Sequence, residues 1–233
     1  MAVHDGRNTH LCVVSCNAHR TTPAIGQGRA TPSRASPALA ERPDSPGDQQ
    51  VNLVAFIGRR LDIREIVEPI PDGSIRFNSK HRARYQVLQV IFGTYPAPEI
   101  EFSAYEHMGL GFDRFETVLL YVSREGDDLI QQKYQFQPVF MTERGTWAGC
   151  GDPYAGEPAP DKRTVHAIPL IFAPEVTFET AGLTESQIHA RFPSPYFQIS
   201  HGVAICRMGA TPEDLLRVKR EGVLKWRGVF RTN

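Results

Sequence analysis

What this 233-residue chain lacks narrows its function before any motif does. It has no excess charge: Lys plus Arg and Asp plus Glu both number 26. A balanced chain carries no global field to draw in nucleic acid or an anionic membrane surface. No apolar run approaches the ~20 residues that a membrane-spanning helix needs, which excludes a helical transmembrane segment. Four cysteines are present but no C-x-x-C pair, so neither a zinc ribbon nor a dithiol redox site has its usual spacing. H-E-x-x-H is missing, and His81, His107, His166, His189 and His201 are scattered, so no metal site is expected. G-x-S-x-G is missing too, which removes the nucleophile elbow of the α/β-hydrolases. No cofactor is implied. Long helices should be few, because 18 prolines and 19 glycines punctuate the chain.

What is present is the texture of paired strands. An apolar fraction of 41% and a charged fraction of 22% are ordinary for a globular protein, and the length allows one large or two small domains. From Tyr85 to Val90 residues alternate, with Tyr85, Val87 and Gln89 on one side and Gln86, Leu88 and Val90 on the other. Gly93, Pro96 and Pro98 break the run, and Ile100 and Phe102 restart it with Glu99 and Glu101 facing water. Aromatic and β-branched residues at period two, bounded by Gly and Pro, mark strands of a barrel or sandwich.

Along the chain, residues 1–50 read as a disordered tail or tether, since Thr21 to Gln50 is Pro, Ala, Ser, Gly, Arg and Asp with little to bury. The body begins at Val51. Leu53–Ile66 reads as a long first strand with a bulge or bend at Gly58. Pro71-Asp72-Gly73 is a turn. Further strands are expected at Ala83–Phe92, Glu99–Glu106, Glu116–Ser123 and Leu129–Phe136, with another at Pro138–Thr142. After Trp147 comes a Gly/Pro/Asp loop, Ala148–Lys162, then short strands at Thr164–Phe172 and Glu175–Phe178. Thr184-Glu185-Ser186-Gln187 is a capping box opening a helix that Pro193 stops. Thr211-Pro212 opens a second helix that buries Leu215 and Leu216 and ends near Gly222. The expected fold is mainly β: a five- to six-stranded OB-like barrel over 51–147, a small α/β extension over 148–233, and the tail over 1–50.

Several segments resemble known families. Phe56-Ile57-Gly58-Arg59-Arg60-Leu61 and Tyr85-Gln86-Val87-Leu88-Gln89-Val90-Ile91-Phe92-Gly93, with Val118-Leu119-Leu120-Tyr121, resemble the first, second and fourth strands of bacterial netrin-like, TIMP-related modules. That resemblance covers Val51–Trp147 and implies an OB-type barrel. The N-terminal cysteine through which metalloproteinase inhibitors chelate zinc has no counterpart at the start of this barrel, so no inhibitory residue carries over. Val13-Val14-Ser15-Cys16 resembles the lipobox of bacterial lipoproteins, which would make Cys16 a lipidation site. Asp5, Arg7, Asn8 and His10 nevertheless precede an apolar run of only five, short of a signal peptide's ~7–15. Gly109-Leu110-Gly111-Phe112 resembles the carboxylate-binding loop of PDZ domains, yet Asp113 and Glu116 would repel a carboxylate.

Three functions follow as expectations. The first is a non-catalytic binding or structural module, associated with the bacterial envelope, whose ligand is a protein or small molecule rather than nucleic acid. The second is a single-stranded nucleic-acid binder, with Arg59, Arg60, Arg82, Arg84 and Tyr85 as the binding set. Arg76 and Lys80 lie in the same basic cluster. The third is a hydrolase pairing Cys150 or Cys206 with His166, His189 or His201. Cys150 and Cys206 also form a candidate disulfide in an oxidising compartment. Two separate reduced thiols in the cytoplasm are the alternative, and the reading leans to these because the visible N-terminus gives no clear export signal.

Overall fold

A first strand, β1 (Leu53–Ile66), carries an uninterrupted apolar run, Leu53-Val54-Ala55-Phe56-Ile57, because its first half is covered on both faces. Strands buried on both sides lose the polar alternation of half-exposed ones. The computed structural model describes residues 52–69, 73, 75, 77–107, 109–158, 160 and 162–230. The tail over 1–50, Cys16, the first two residues of the Pro71-Asp72-Gly73 turn, and Arg76 lie outside the described residues.

β1 pairs antiparallel with β2 (Ser79–Phe92) on one side and with β4 (Thr117–Glu125) on the other. β2 pairs with β3 (Glu99–Glu106), and β4 with β5 (Asp128–Met141). A parallel contact between Ser103 of β3 and Ile130 of β5 closes the ring in the order β1-β2-β3-β5-β4 and back to β1. The chain is mainly β, as its patterning predicts. Inside the ring lie Phe56, Tyr85, Ile100, Phe102, Phe112, Val118 and Leu120. Phe112 reaches the interior from a short 3-10 turn, Phe112–Arg114, between β3 and β4.

The expected bulge at Gly58 is present, but the extra residue is on the opposite strand. Ile57 faces Gln89 and Gly58 faces Val87, so Leu88 is skipped. Tyr85 and Val87 pack inside the ring and Leu88 outside it, the two faces that the alternation predicts, and Ile91 and Phe92 also pack outside. The two strands expected at Leu129–Phe136 and Pro138–Thr142 are one, β5, running through Pro138 opposite Val118. Proline is tolerated there because the contact with β3 lies back at Ile130 and β6 joins β5 only from Val139 onward.

The sheet continues past the ring through β6 (Trp147–Cys150) to two strands from later in the chain, β7 (Ile168–Pro169) and β11 (Met208–Ala210). A second, three-stranded sheet joins β8 (Thr177–Glu179), β9 (Phe197–Ser200) and β10 (Val203–Cys206) in the order β8-β10-β9. The expected strand at Thr164–Phe172 is thus reduced to two residues, and that at Glu175–Phe178 shifts to Thr177–Glu179. The capping box forms in full: Thr184 Oγ1 accepts from Gln187 N at 3.3 Å and Gln187 Oε1 accepts from Thr184 N at 2.9 Å. It opens α1 (Glu185–Arg191). Thr211 caps α2 (Pro212–Glu221), and Gly222 separates it from α3 (Val223–Trp226). α2 lays Leu215, Leu216 and Val218 on the outer wall of the ring against Ile57, Leu119 and Tyr121. Each leucine so buried stabilises the packing by about 1.5–3 kcal/mol.

Cys150 of β6 and Cys206 of β10 form a disulfide, with Cα atoms 6.1 Å apart, joining the two sheets. The lean towards two reduced thiols is corrected here. Cys206 is in a buried strand as expected, but Cys150 is on β6 rather than in a free loop, which brings the sulfurs together.

Candidate functional site

Of the binding set nominated from sequence, Arg82 and Arg84 lie on the outer face of β2 and β3, Arg59 and Arg60 lie on β1, and Tyr85 turns inward. Alternation on β2 sends Lys80, Arg82 and Arg84 outward and Ala83 and Tyr85 inward, and on β3 sends Glu99 and Glu101 outward. Arg82 stands 3.7 Å from Glu101 and Arg84 3.8 Å from Glu99. Arg59 lies 3.7 Å from Glu116, and Lys80 2.6 Å from Glu68. The Arg60 guanidinium donates to the Asp113 carbonyl. Such exposed pairs contribute little to stability, but they cancel charge locally. The face is a ladder of paired opposites rather than a basic groove.

Tyr85 is fully buried, its ring stacked on Phe102 at 5.7 Å. Burial pushes its phenol far above the ordinary tyrosine range, with lesser effects from Arg60 and Asp113. It presents no ring face to a ligand. The structure therefore brings Arg59, Arg60, Arg82 and Arg84 near carboxylates or carbonyls, and separates Tyr85 from them by placing it inside the ring. His189 sits 3.8 Å from Glu185 on α1, and His201 Nδ1 is 2.8 Å from Ser200 Oγ. Among the described residues, no cluster of three His, Cys, Asp or Glu side chains could hold a metal ion. With both sulfurs in the disulfide, Cys150 and Cys206 offer no thiolate to a neighbouring imidazole.

Sequence reasoning missed a second place. A cleft of about 330 Å³ opens between the loop after β6 and the helices α2 and α3, with Tyr154, Glu157, Val218, Glu221, Lys225 and Trp226 among its walls. The loop is fixed rather than slack. Tyr154 Oη accepts from the N–H groups of Thr164 at 3.0 Å and Val165 at 3.2 Å, and Thr164 Oγ1 donates to Glu221 at 2.6 Å. Partial burial alone would raise the Tyr154 phenol, but the hydrogen bonds from Thr164 and Val165 bring it below its usual range. The Arg163 guanidinium lies 4.5 Å from the Tyr154 ring centroid and pairs with Asp152.

Behind the cleft Lys219 is buried. It donates to Gln135 Oε1 at 2.7 Å and to the Glu157 carboxylate, joining α2, β5 and the loop at one point. Burial lowers the Lys219 ammonium below its ordinary range, and Glu157 offsets part of that. The cleft thus combines an exposed indole, an exposed ammonium at Lys225 and a carboxylate at Glu221. These groups can hold a small polar ligand or a side chain from another protein. No nucleophile with an adjacent base is among them.

A third polar cluster lies within the ring where β3 meets β5. Glu106 is buried and accepts from Tyr134 N at 3.2 Å, while Gln131 Nε2 donates to the Gln135 carbonyl at 2.9 Å. Both side chains brace an irregular stretch of β5 where Tyr134 has φ of 65°. Among the described residues, Glu106 Oε2 and Gln131 Oε1 have no hydrogen-bond partner, nor does His81 Nδ1 on β2. Burial raises the Glu106 carboxyl above the ordinary range, against the opposing effects of Tyr134 N, Lys133 and Arg227.

The chain matches no protein-family model, no curated protein and no solved structure.

Proposed function

We propose that this chain is a non-catalytic binding or structural module on an OB-like barrel, related to the netrin-like modules, that works in an oxidising compartment such as the bacterial envelope. The ring order β1-β2-β3-β5-β4, with a parallel contact between its third and fifth strands, supports the OB-like reading. The Cys150–Cys206 disulfide supports the compartment, because such bonds persist where thiols are not kept reduced. Among the described residues no helix is long and apolar enough to cross a membrane.

The observation that carries the reading is the charge ladder on the β2–β3 face. OB barrels that bind single strands use this face, with aromatic rings for stacking and unpaired cations for phosphates. Here Arg82 and Arg84 stand beside Glu101 and Glu99, and Tyr85 is inside the barrel. A nucleic-acid strand would have to break these pairs beside two carboxylates. The partner is therefore a protein or a small molecule, and the cleft beside Trp226 is its candidate seat for a small ligand. No cofactor enters this reading.

Titration with fluorescent single-stranded oligonucleotides tests it. The expected result is no binding tighter than about 10 μM at physiological salt, weaker than specific nucleic-acid complexes. A submicromolar complex that weakens steeply with salt and is lost on Arg82→Ala would replace this reading with the nucleic-acid one.

A further inference from the structure

Pairing of β1 with β4 ends at Arg59, with one further backbone bond from Arg60 N to the Glu116 carbonyl at 2.9 Å. Pairing with β2 runs on to Ile66. Between these limits, Leu61 to Glu65 form an outer edge without a backbone partner among the described residues. Leu61 starts the divergence: Arg60 faces Tyr85 and Asp62 faces Arg84, so Leu61 is the extra residue of a bulge. An uncovered edge is a template for another strand.

The backbone groups on this edge can be assigned from the register. Val87 N bonds the Pro98 carbonyl, so odd-numbered residues in this part of β2 turn towards β3 and Arg82 and Arg84 turn towards β1. Their partners Arg64 and Asp62 then spend their N–H and C=O groups on β2. Ile63 and Glu65 direct theirs outward. Ile63 meanwhile packs its side chain towards the ring interior.

The charges on this edge are self-complementary. Asp62 and Arg64 are exposed, and neither has an ion-pair or side-chain hydrogen-bond partner among the described residues. Arg64 sits opposite Arg82, a like charge already beside Glu101, so its own sheet supplies it no counterion. We infer that the edge pairs antiparallel with the same edge of a second copy about a two-fold axis through Ile63.

Of the registers centred on Asp62, Ile63 or Arg64, only the one on Ile63 fits. A two-fold axis perpendicular to an antiparallel pair passes through a residue facing its own copy. Centred on Asp62, it would set Asp62 against Asp62; centred on Arg64, it would set Arg64 against Arg64. Centred on Ile63, it sets each Asp62 against Arg64 of the second copy, twice over, and aligns the outward N–H and C=O of the two Ile63 residues. Directly opposed unlike charges stabilise strand pairing and like charges oppose it. Leu61, 43% exposed, adds apolar surface beside the seam. An edge of five residues is short, so the dimer is reversible and concentration-dependent.

Sedimentation equilibrium on the full chain tests this, with far-ultraviolet circular dichroism and melting temperature confirming that each variant is folded. The wild type should show a monomer–dimer equilibrium. Arg64→Asp alone and Asp62→Arg alone should each weaken it at least about tenfold, since each sets like charges opposite one another twice. The double exchange D62R/R64D should restore it. A wild type that stays monomeric, a dimer indifferent to the single exchanges, or a double exchange that fails to recover would each overturn the inference.

Discussion

Gly58 shows how one missing carbon shapes the ring. A Cβ built there would stand 2.8 Å from the Phe56 ring and 3.0 Å from the Tyr85 ring, both held in the core. Neither ring can yield cheaply, because Tyr85 is stacked on Phe102 and Phe56 meets the same ring edge-on at 6.3 Å. Gly58→Ala should therefore destabilise the fold by about 1–3 kcal/mol, the usual cost of overpacking, read as a lower urea midpoint at unchanged slope. A midpoint equal to the wild type would mean that the rings repack freely. Glu106 gives a second test at this scale. Its folded carboxyl titrates above the ordinary value of about 4.3, chiefly through burial. Its contribution to stability is complete below that ordinary value and is lost as pH rises through the folded one, since the buried group must then ionise. Comparing wild type with Glu106→Gln from about pH 4 to about pH 8, stability should shift in favour of the glutamine as pH rises. A pH-independent difference would contradict this.

At the scale of elements, Lys219 fastens α2 to the ring. Its side chain is 5% exposed and that of Glu157 10%, so each ion depends on the other for compensation. Lys219→Met leaves the Glu157 carboxylate and Gln135 Oε1 facing an apolar group, and should cost about 3–5 kcal/mol. Combining it with Glu157→Leu should recover much of that loss, because paired replacement by apolar groups is often neutral. Additive losses in the double-mutant cycle would show that the two ions are not coupled. This contact also marks where sequence stops being legible. β1 and β3 are found with their observed ends, because alternation and the Gly and Pro boundaries are local signals. The caps at Thr184 and Thr211 are legible for the same reason, each contained within four residues. Lys219 meets partners 62 and 84 positions away, and no local pattern marks such a bond. On sequence alone it passes as one of several cations in the C-terminal half of a helix. The loop Ala148–Lys162 likewise reads as slack, because the bonds that fix Tyr154 come from Thr164 and Val165 and are invisible without the fold. Tyr85 is hard to read for the opposite reason: an aromatic among arginines suggests stacking, and only the fold shows its side chain in the core.

Across the whole molecule, the closed ring and the smaller sheet share few segments, and the Cys150–Cys206 bond is the covalent one. It links β6, the ring's continuation, to β10, the middle strand of the second sheet, across a sequence separation of 56. Around it, Phe172, Val176, Phe178 and Phe197 form a small core of their own, set apart from the two that involve the ring. A core that small has little apolar area to offset the ordering of the chain about it. The bond therefore matters more to the second sheet than to the ring. Removing the crosslink by Cys206→Ala restores the loop's freedom in the unfolded chain, worth about 2–4 kcal/mol on the chain-entropy account. Hydrogen exchange should then show early loss of protection in β8, β9 and β10, with the ring strands β1, β2 and β4 keeping theirs. Peptide mapping of the non-reduced wild type should recover Cys150 and Cys206 in one crosslinked fragment. Rapid alkylation of either cysteine in the native, unreduced protein would break this picture, and would return a thiol to the imidazoles that the bond denies them.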